Sequence, residues 1–246
     1  MNEVIRQLKA RKSVRVFEDR PVPGEEKRAI LQAAVEAPTA GNQQLYTILD
    51  ITDQSLREEL VRTCDNQPMI ARAPLVLIFC ADCKKWYDGF TAAGCVPRRP
   101  EVGDLMLAVC DALIAAQNAV TAAESLGLGS CYVGDIMENC ARQRELLHLP
   151  EYVFPAAMVI FGYPTQQQKE RPKPARADLR YVVHENGYHP LDARQLEAMW
   201  TPRAGAEGYE TWMRRFCDRK FNSPFSREMS RSVSEYLSQF EPDRQN

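Results

Sequence analysis

Three cations and a hydroxyl crowd into five residues at Arg11-Lys12-Ser13-Val14-Arg15. If that segment is extended, positions 11, 13 and 15 point one way. Guanidinium forks match phosphate oxygens and a serine hydroxyl adds a donor, so the pattern suits an anion. It suits a solvated surface equally well, and spacing alone leaves both readings open. Cys80-Ala-Asp-Cys83 is the only CxxC among eight cysteines, and no second CxxC or HxxxH answers it. A zinc ribbon therefore lacks half its ligands. Cys80 also closes the apolar run Pro74-Leu-Val-Leu-Ile-Phe79, where a cysteine serves as a small hydrophobe. The three histidines, His148, His184 and His189, show no metal spacing. GxGxxG, Walker A and GxSxG patterns are missing as well. Hydrolase and metalloenzyme chemistry loses support, and a phosphate-bearing cofactor is what the basic cluster could serve.

The elements that must position these residues follow from periodicity. Asn2 caps a short helix to about Ala10, and Pro23-Gly24-Glu25-Glu26 opens another whose Ile30, Leu31, Ala34 and Val35 recur at helical spacing. Tyr46 to Ile51 reads as a strand. Ser55 and Glu58 form a capping-box pattern before a helix. Leu75 to Cys80 and Pro155 to Phe161 read as buried strands, and Lys84 to Val102, with its glycines, prolines and aromatics, as a loop over something. The longest helix is expected over Asp104 to Leu126, roughly 33 Å. It is apolar on most of its circumference, with Asp104, Asp111, Asn118 and Ser125 repeating every seven residues as a narrow polar stripe. Such a helix is buried on several sides, and its many alanines permit close approach at a core or a subunit interface. Gly127 to Gly134 ends it and enters a short strand, and Gln166 to Arg176 reads as an extended connector. Three helical patterns follow Tyr188, at about 192–200, 205–217 and 225–240.

The chain has 246 residues, 45 % of them hydrophobic and 26 % charged, with a formal net charge of −2. That balance supplies a core and no global field toward nucleic acid or an anionic membrane. Leu105 to Ala123 approaches membrane-span length but is interrupted by Asp111, Gln117, Asn118 and Thr121. No secretory pattern opens the sequence, so a cytoplasmic protein is expected. Helices outnumber strands without repeats or a low-complexity linker. We expect one domain, 1–190 with a helical C-terminal extension over 191–246.

Five motifs in order resemble those of nitroreductase-family flavoproteins: Arg11-Lys-Ser-Val-Arg-Val-Phe17, Ala37-Pro-Thr-Ala-Gly-Asn42-Gln-Gln44, Ala115 through Gly134, Leu149-Pro-Glu with Phe161-Gly-Tyr-Pro164, and Val183-His-Glu-Asn186. The resemblance covers nearly the whole chain, and the helical tail is similar to the branch of NADPH-preferring flavin reductases and oxygen-insensitive nitroreductases. It implies an α+β nitroreductase-like fold: a central, mostly antiparallel sheet flanked by helices, a long buried central helix and the C-terminal extension. It implies a homodimer that binds FMN, takes NADPH or NADH as co-substrate and reduces a small-molecule acceptor such as a nitroaromatic, a quinone or a flavin by a ping-pong route.

Residue by residue, Arg11 and Ser13, with Lys12 between them, match the FMN phosphate site, and Arg15 matches the cation near the flavin N1–C2=O edge. Thr39 and Asn42 match a segment reaching the flavin from the partner subunit. Gln67 matches a ligand of the pyrimidine end, and Val133 and Gly134 match the strand whose backbone N–H faces N5. Arg176 matches a phosphate-binding arginine; Lys173 matches its lysine neighbour with one residue of extra spacing. Leu45 stands where relatives usually carry proline, Pro68-Met69 replaces a more polar pair, and Asp135 after Gly134 is unusual. Arg219, Lys220 and Arg227 are candidates for a 2′-phosphate. Other flavin chemistry on the same fold, a non-catalytic FMN redox sensor with Cys80 and Cys83 as a thiol relay, and a cysteine-ligated metal protein are the alternatives.

Overall fold

The computed structural model of the chain describes residues 2–241. Asn2 starts α1 (Glu3–Ala10) by accepting the Ile5 N–H at 3.0 Å. Helix α2 (Gly24–Val35) follows, then β1 (Tyr46–Asp50), α3 (Gln54–Thr63), the single turn α4 (Met69–Arg72), β2 (Leu75–Asp82) and α5 (Lys84–Ala92). Next come the long α6 (Val102–Ser125), β3 (Gly129–Val133), α7 (Cys140–Leu146), β4 (Val153–Gly162) and α8 (Gln166–Glu170). The tail carries α9 (Ala193–Ala204), α10 (Tyr209–Lys220) and α11 (Pro224–Leu237). The chain divides into two compact units. One holds the described residues up to Arg171 together with those from Glu228 onward, and the other is Pro172–Arg227.

The sheet runs β1-β2-β4-β3 with every pair antiparallel, which makes the fold α+β as expected. Its central strand β2 is buried at every position because both faces are covered. Leu75, Leu77, Phe79 and Ala81 pack with α2 and α6, whereas Val76, Ile78 and Cys80 pack with Leu60 of α3 and Ile70 of α4. That double burial turns the strand into a continuous apolar run. Strand β4 changes face partway. Phe154 and Ala156 share the α6 side with Val159 and Phe161, an even-to-odd switch that coincides with a register shift opposite Phe79 and Cys80. Pro155 sits at this bulge, where a missing N–H costs the ladder least.

Helix α6 lays Ala108, Ala112, Ala115, Ala116, Ala119 and Ala123 against the core with no exposed surface. It is the one described helix long and apolar enough, by length and composition, to cross a membrane. Each residue of its polar stripe is used. Asp104 accepts the Glu101 N–H at 2.8 Å in a capping box and receives both arms of Arg98 at 2.6 and 2.9 Å. Asp111 accepts the N–H groups of Ala40 at 3.0 Å and Leu45 at 3.1 Å. Asn118 donates to the Ala33 carbonyl of α2 at 3.1 Å, and the Ser125 hydroxyl donates to Ala122 at 2.7 Å.

Local structure departs from the sequence reading in three places. Lys84–Ala92 is helix where a loop was expected, because Lys84 pairs with Asp88 and Trp86 stacks near Phe90, both at i,i+4. Gln166–Glu170 is a helical turn closed by a Gln166–Glu170 hydrogen bond of 2.6 Å. The cap of α3 is Asp53, which accepts the Leu56 N–H at 2.8 Å and the Ser55 hydroxyl at 2.5 Å, so the Ser55–Glu58 box does not form.

Replacing Asp111 by alanine should lower unfolding free energy by about 3 kcal/mol, because one buried and one part-buried N–H group lose a charged acceptor. Asparagine, which keeps one acceptor oxygen, should lose less. Urea denaturation checks both; an Asp111→Ala protein as stable as wild type would mean these bonds contribute nothing.

Candidate functional site

Residues 11–18 form an extended strap over the ends of β3 and β4. The Val14 N–H donates to the Ser130 carbonyl at 2.9 Å and the Glu18 N–H to the Tyr163 carbonyl at 2.8 Å. Ser13 and Phe17 bridge to Ser130 and Pro164. Two glycines admit the strap. A Cβ on Gly129 would lie 2.5 Å from Val14 Cγ2, and one on Gly162 would lie 2.8 Å from the Phe17 ring.

Alternation puts Arg11, Ser13 and Arg15 on one face of the strap, and they converge beside β3. Burial pushes the Cys131 thiol up, opposed by Arg15, by a hydrogen bond with Ser13, and by the charges of Arg11 and Arg171. Arg171 also donates to the Ser13 carbonyl, and the Arg15 N–H donates to the buried Gln168 side chain at 3.3 Å. Lys12 turns elsewhere, its ammonium donating to the carbonyls of Lys169, at 2.7 Å, and Arg171. Three polar atoms of this cluster, Arg11 Nε, Arg171 Nε and Ser130 Oγ, are buried without a protein partner. Buried donors need acceptors, and a compact anion with several oxygens fits that demand.

Thr39 Oγ1 accepts the Gln44 N–H at 3.1 Å, while Gly41, Asn42 and Gln44 have φ of 57°, 57° and 52°. The segment is a tight turn with Asn42 exposed, held from below by Asp111. Leu45 donates one of those two bonds, which a proline there could not. Gln67, at the α3–α4 junction, donates from Nε2 to the Cys64 carbonyl at 3.1 Å. Val133 is buried at the end of β3 and Gly134 is exposed at the start of the turn Gly134–Met137. Lys173 and Arg176 belong to the unit Pro172–Arg227, where Arg176 is exposed. Arg171 was missed by the sequence reading. It opens the basic run to Arg176, and spacing gives no means of choosing among the cations there.

The α5 segment does cover something. With the loop after it, it walls a cavity of about 370 Å³ lined by Gln43, Leu45, Trp86, Phe90 and Leu107, with the Arg98–Asp104 pair also at its wall. Within the second unit, Arg203 lies 5.4 Å over Trp200 and Arg219 lies 5.4 Å over Phe216. Trp212 stacks on Phe216 with centroids 5.0 Å apart, and both line, with Arg203 and Arg219, a cavity of about 360 Å³. Lys220 lies over Phe225, and Arg227 is exposed.

Residues 8–163 match the Nitroreductase family, and the chain belongs to it. It is 35 % identical over 222 residues to the oxygen-insensitive NADPH nitroreductase of Salmonella typhimurium, covering 86 % of this chain and 88 % of that one. It is 30 % identical over 238 residues to the FMN reductase [NAD(P)H] of Bacillus subtilis, covering 96 % and 91 %. The solved structure of NfrA2 from B. megaterium superposes with a TM-score of 0.81 at 29 % identity, covering 98 % of this chain and all of that one.

The cysteine pair has a different setting. Cys80 lies in the core on one face of the sheet and Cys83 in the core on the other, and burial pushes both thiols up to about 12. Among the described residues no three of His, Cys, Asp and Glu group closely enough to hold a metal ion. Thiols with pKa values that high carry almost no thiolate near pH 8. In the native protein a disulfide reagent should therefore modify the exposed Cys95 and Cys217 and spare Cys80 and Cys83 until denaturant is added. Rapid native labelling of either member of the pair would restore the thiol-relay reading.

Proposed function

We propose that this chain is a cytoplasmic, homodimeric NAD(P)H-dependent FMN oxidoreductase that reduces nitroaromatics, quinones or flavins by a ping-pong route. The observation that carries the reading is the cluster of Arg11, Ser13, Arg171 and Ser130 at the strap, three of whose side-chain atoms are buried without a partner, which suits the phosphate of FMN. FMN, when bound, supplies the redox chemistry by accepting hydride equivalents from a nicotinamide and passing them on. The protein's part is to bind, orient and set the field. Arg15 supplies fixed positive charge at the N1–C2=O edge, where negative charge collects on reduction. Val133 and Gly134 present backbone to N5, and Gln67 serves the pyrimidine end. By resemblance, Lys173 and Arg176 match phosphate-binding positions. The aromatic cavity beside the Thr39–Asn42 turn supports a flat acceptor, because ring faces offer area without directional demands.

A second copy is supported by the outward side of α6. Met106, Leu107, Leu113 and Ile114 are exposed there, as are Val4, Ile5 and Leu8 of α1, and a charge-poor stripe of this kind suits another protein surface. Cys110 shares that side. In the thiol titration it should stay unmodified in the dimer and react on dissociation.

Arg11→Ala should weaken FMN binding about 10- to 100-fold, since a hydrogen bond to a charged group contributes roughly 1.5–3 kcal/mol. Cys80→Ser with Cys83→Ser should leave turnover nearly intact. Fluorescence titration with FMN and steady-state assays read the two, and the opposite pattern would put the site elsewhere.

The cavity of the second unit supports NADPH over NADH, because Arg203 and Arg219 there are cations on an aromatic shelf that suits adenine and a phosphate. Arg219→Ala should lower kcat/KM for NADPH about 10-fold and leave NADH within about twofold. Equal kcat/KM for both nucleotides in wild type, unchanged by the substitution, would remove the preference.

A further inference from the structure

Glu138 closes the turn Gly134–Met137, its N–H donating to the Asp135 carbonyl at 3.0 Å. Its side chain is 5 % exposed, and Oε1 is buried without a hydrogen-bond partner. The charges facing it are all negative: Asp135 in its own turn, Asp65 in the loop after α3, and Glu228 on α11. Arg231 of α11 is already committed, pairing with Glu228 at 2.8 Å and with Glu235 at 2.7 Å. Glu228 is consequently fixed as an anion. Its hydrogen bond from Arg231, outweighing burial and aided by Ser232 and the Asn139 N–H, holds it down to about 2. The neutral groups of this corner are the Cys64 thiol of the α3 C-cap and the Gln143 amide of α7. Gln143 donates to Thr63 at 3.0 Å, but its own Oε1 is a second buried acceptor without a partner.

A corner with two orphan acceptors and three anions favours a carboxyl group that keeps its proton. We propose that Glu138 is a positioning residue whose neutral carboxyl locks the turn Gly134–Met137 between α3, α7 and α11, and whose ionisation loosens that turn and weakens cofactor binding. The proposal rests on the reading of Val133 and Gly134 as the flavin-facing backbone. Burial first, then Asp135, Asp65 and Glu228, raise the Glu138 carboxyl to about 7. A carboxyl raised in the folded state contributes full stability below its ordinary range. That contribution drains away as pH rises toward about 7. The turn is therefore tight on the acid side of neutrality and loosened on the alkaline side.

Infrared difference spectra of the protein without FMN, taken between about pH 5 and about pH 9, read the protonated carboxyl directly. Wild type should show a carboxyl C=O band that titrates near 7 and is missing in Glu138→Gln. FMN fluorescence quenching supplies the second arm. Wild type should bind FMN about 3- to 10-fold more weakly at about pH 8.5 than at about pH 6, and Glu138→Gln should bind equally at both. Asp65→Asn, an exposed substitution, should move both midpoints down together. A carboxyl that titrates in the ordinary range, or FMN binding with the same pH profile in wild type and Glu138→Gln, would overturn the proposal. Failure to bind FMN at any pH, with the infrared titration intact, would instead overturn the cofactor assignment on which the coupling rests.

Discussion

Asp111 stands at 2 % exposure in the middle of an apolar helix and accepts backbone N–H groups from Ala40 and Leu45. An unpaired carboxylate there would be strongly destabilising, so the donors are obligatory, and supplying them fixes the turn of Gly41, Asn42 and Gln44 in left-handed geometry above the helix. Strand β1 starts one residue later, and Leu45 also accepts the Asp82 N–H at 2.9 Å. One buried charge thus ties the central helix, the exposed turn and the sheet into a single unit. Leu45 gains a reason from this: the position needs an N–H, which proline lacks, and in this chain Asp111 uses it.

The polar stripe of α6, repeating every seven residues, was legible because periodicity marks it; Asp104, Asp111 and Asn118 each anchor a different segment, and Ser125 bonds within its own helix. The β2 run was legible because a strand covered on both faces leaves no alternation to misread. What periodicity hid was set by tertiary context. The face switch in β4 comes from one unpaired residue near Pro155, which leaves the apolar run unbroken. Helix α5 forms through i,i+4 pairs inside a stretch whose glycines and prolines suggest a loop, the prolines at 97 and 100 falling after its end. The return of Tyr236 and Phe240 into the main core, against Phe154 and Tyr152, depends on a chain path that no local pattern encodes.

At the candidate site, the extended backbone that the sequence left as a condition is present over residues 11–18, and Arg11, Ser13 and Arg15 alternate along it. Spacing could not choose among Arg171, Lys173 and Arg176, since all three suit a phosphate and only the path after α8 brings Arg171 to the Ser13 carbonyl. Lys12 shows the converse. Its place in the basic cluster suggested an anion ligand, yet it sits on the alternate face of the strap and binds it to the end of α8 through two carbonyls.

Strand β3 carries opposite charge at its two ends. Arg11, Arg15 and Arg171 surround Ser130 and Cys131 near its start, and Asp65, Asp135 and Glu228 lie around Glu138 and the turn at its finish. At ~3.3 Å per residue, five residues place these poles on the order of 15 Å apart. The basic pole, with its charge and its unpartnered donors, suits an anion. The acidic pole disfavours added negative charge; on the proposed cofactor reading it would oppose reduction of a ring lying against the turn, and Arg15 would favour it. Ionisation of Glu138 adds one more charge to the acidic pole. On that reading the balance between Arg15 and that pole, rather than either alone, would set how easily such a ring accepts electrons.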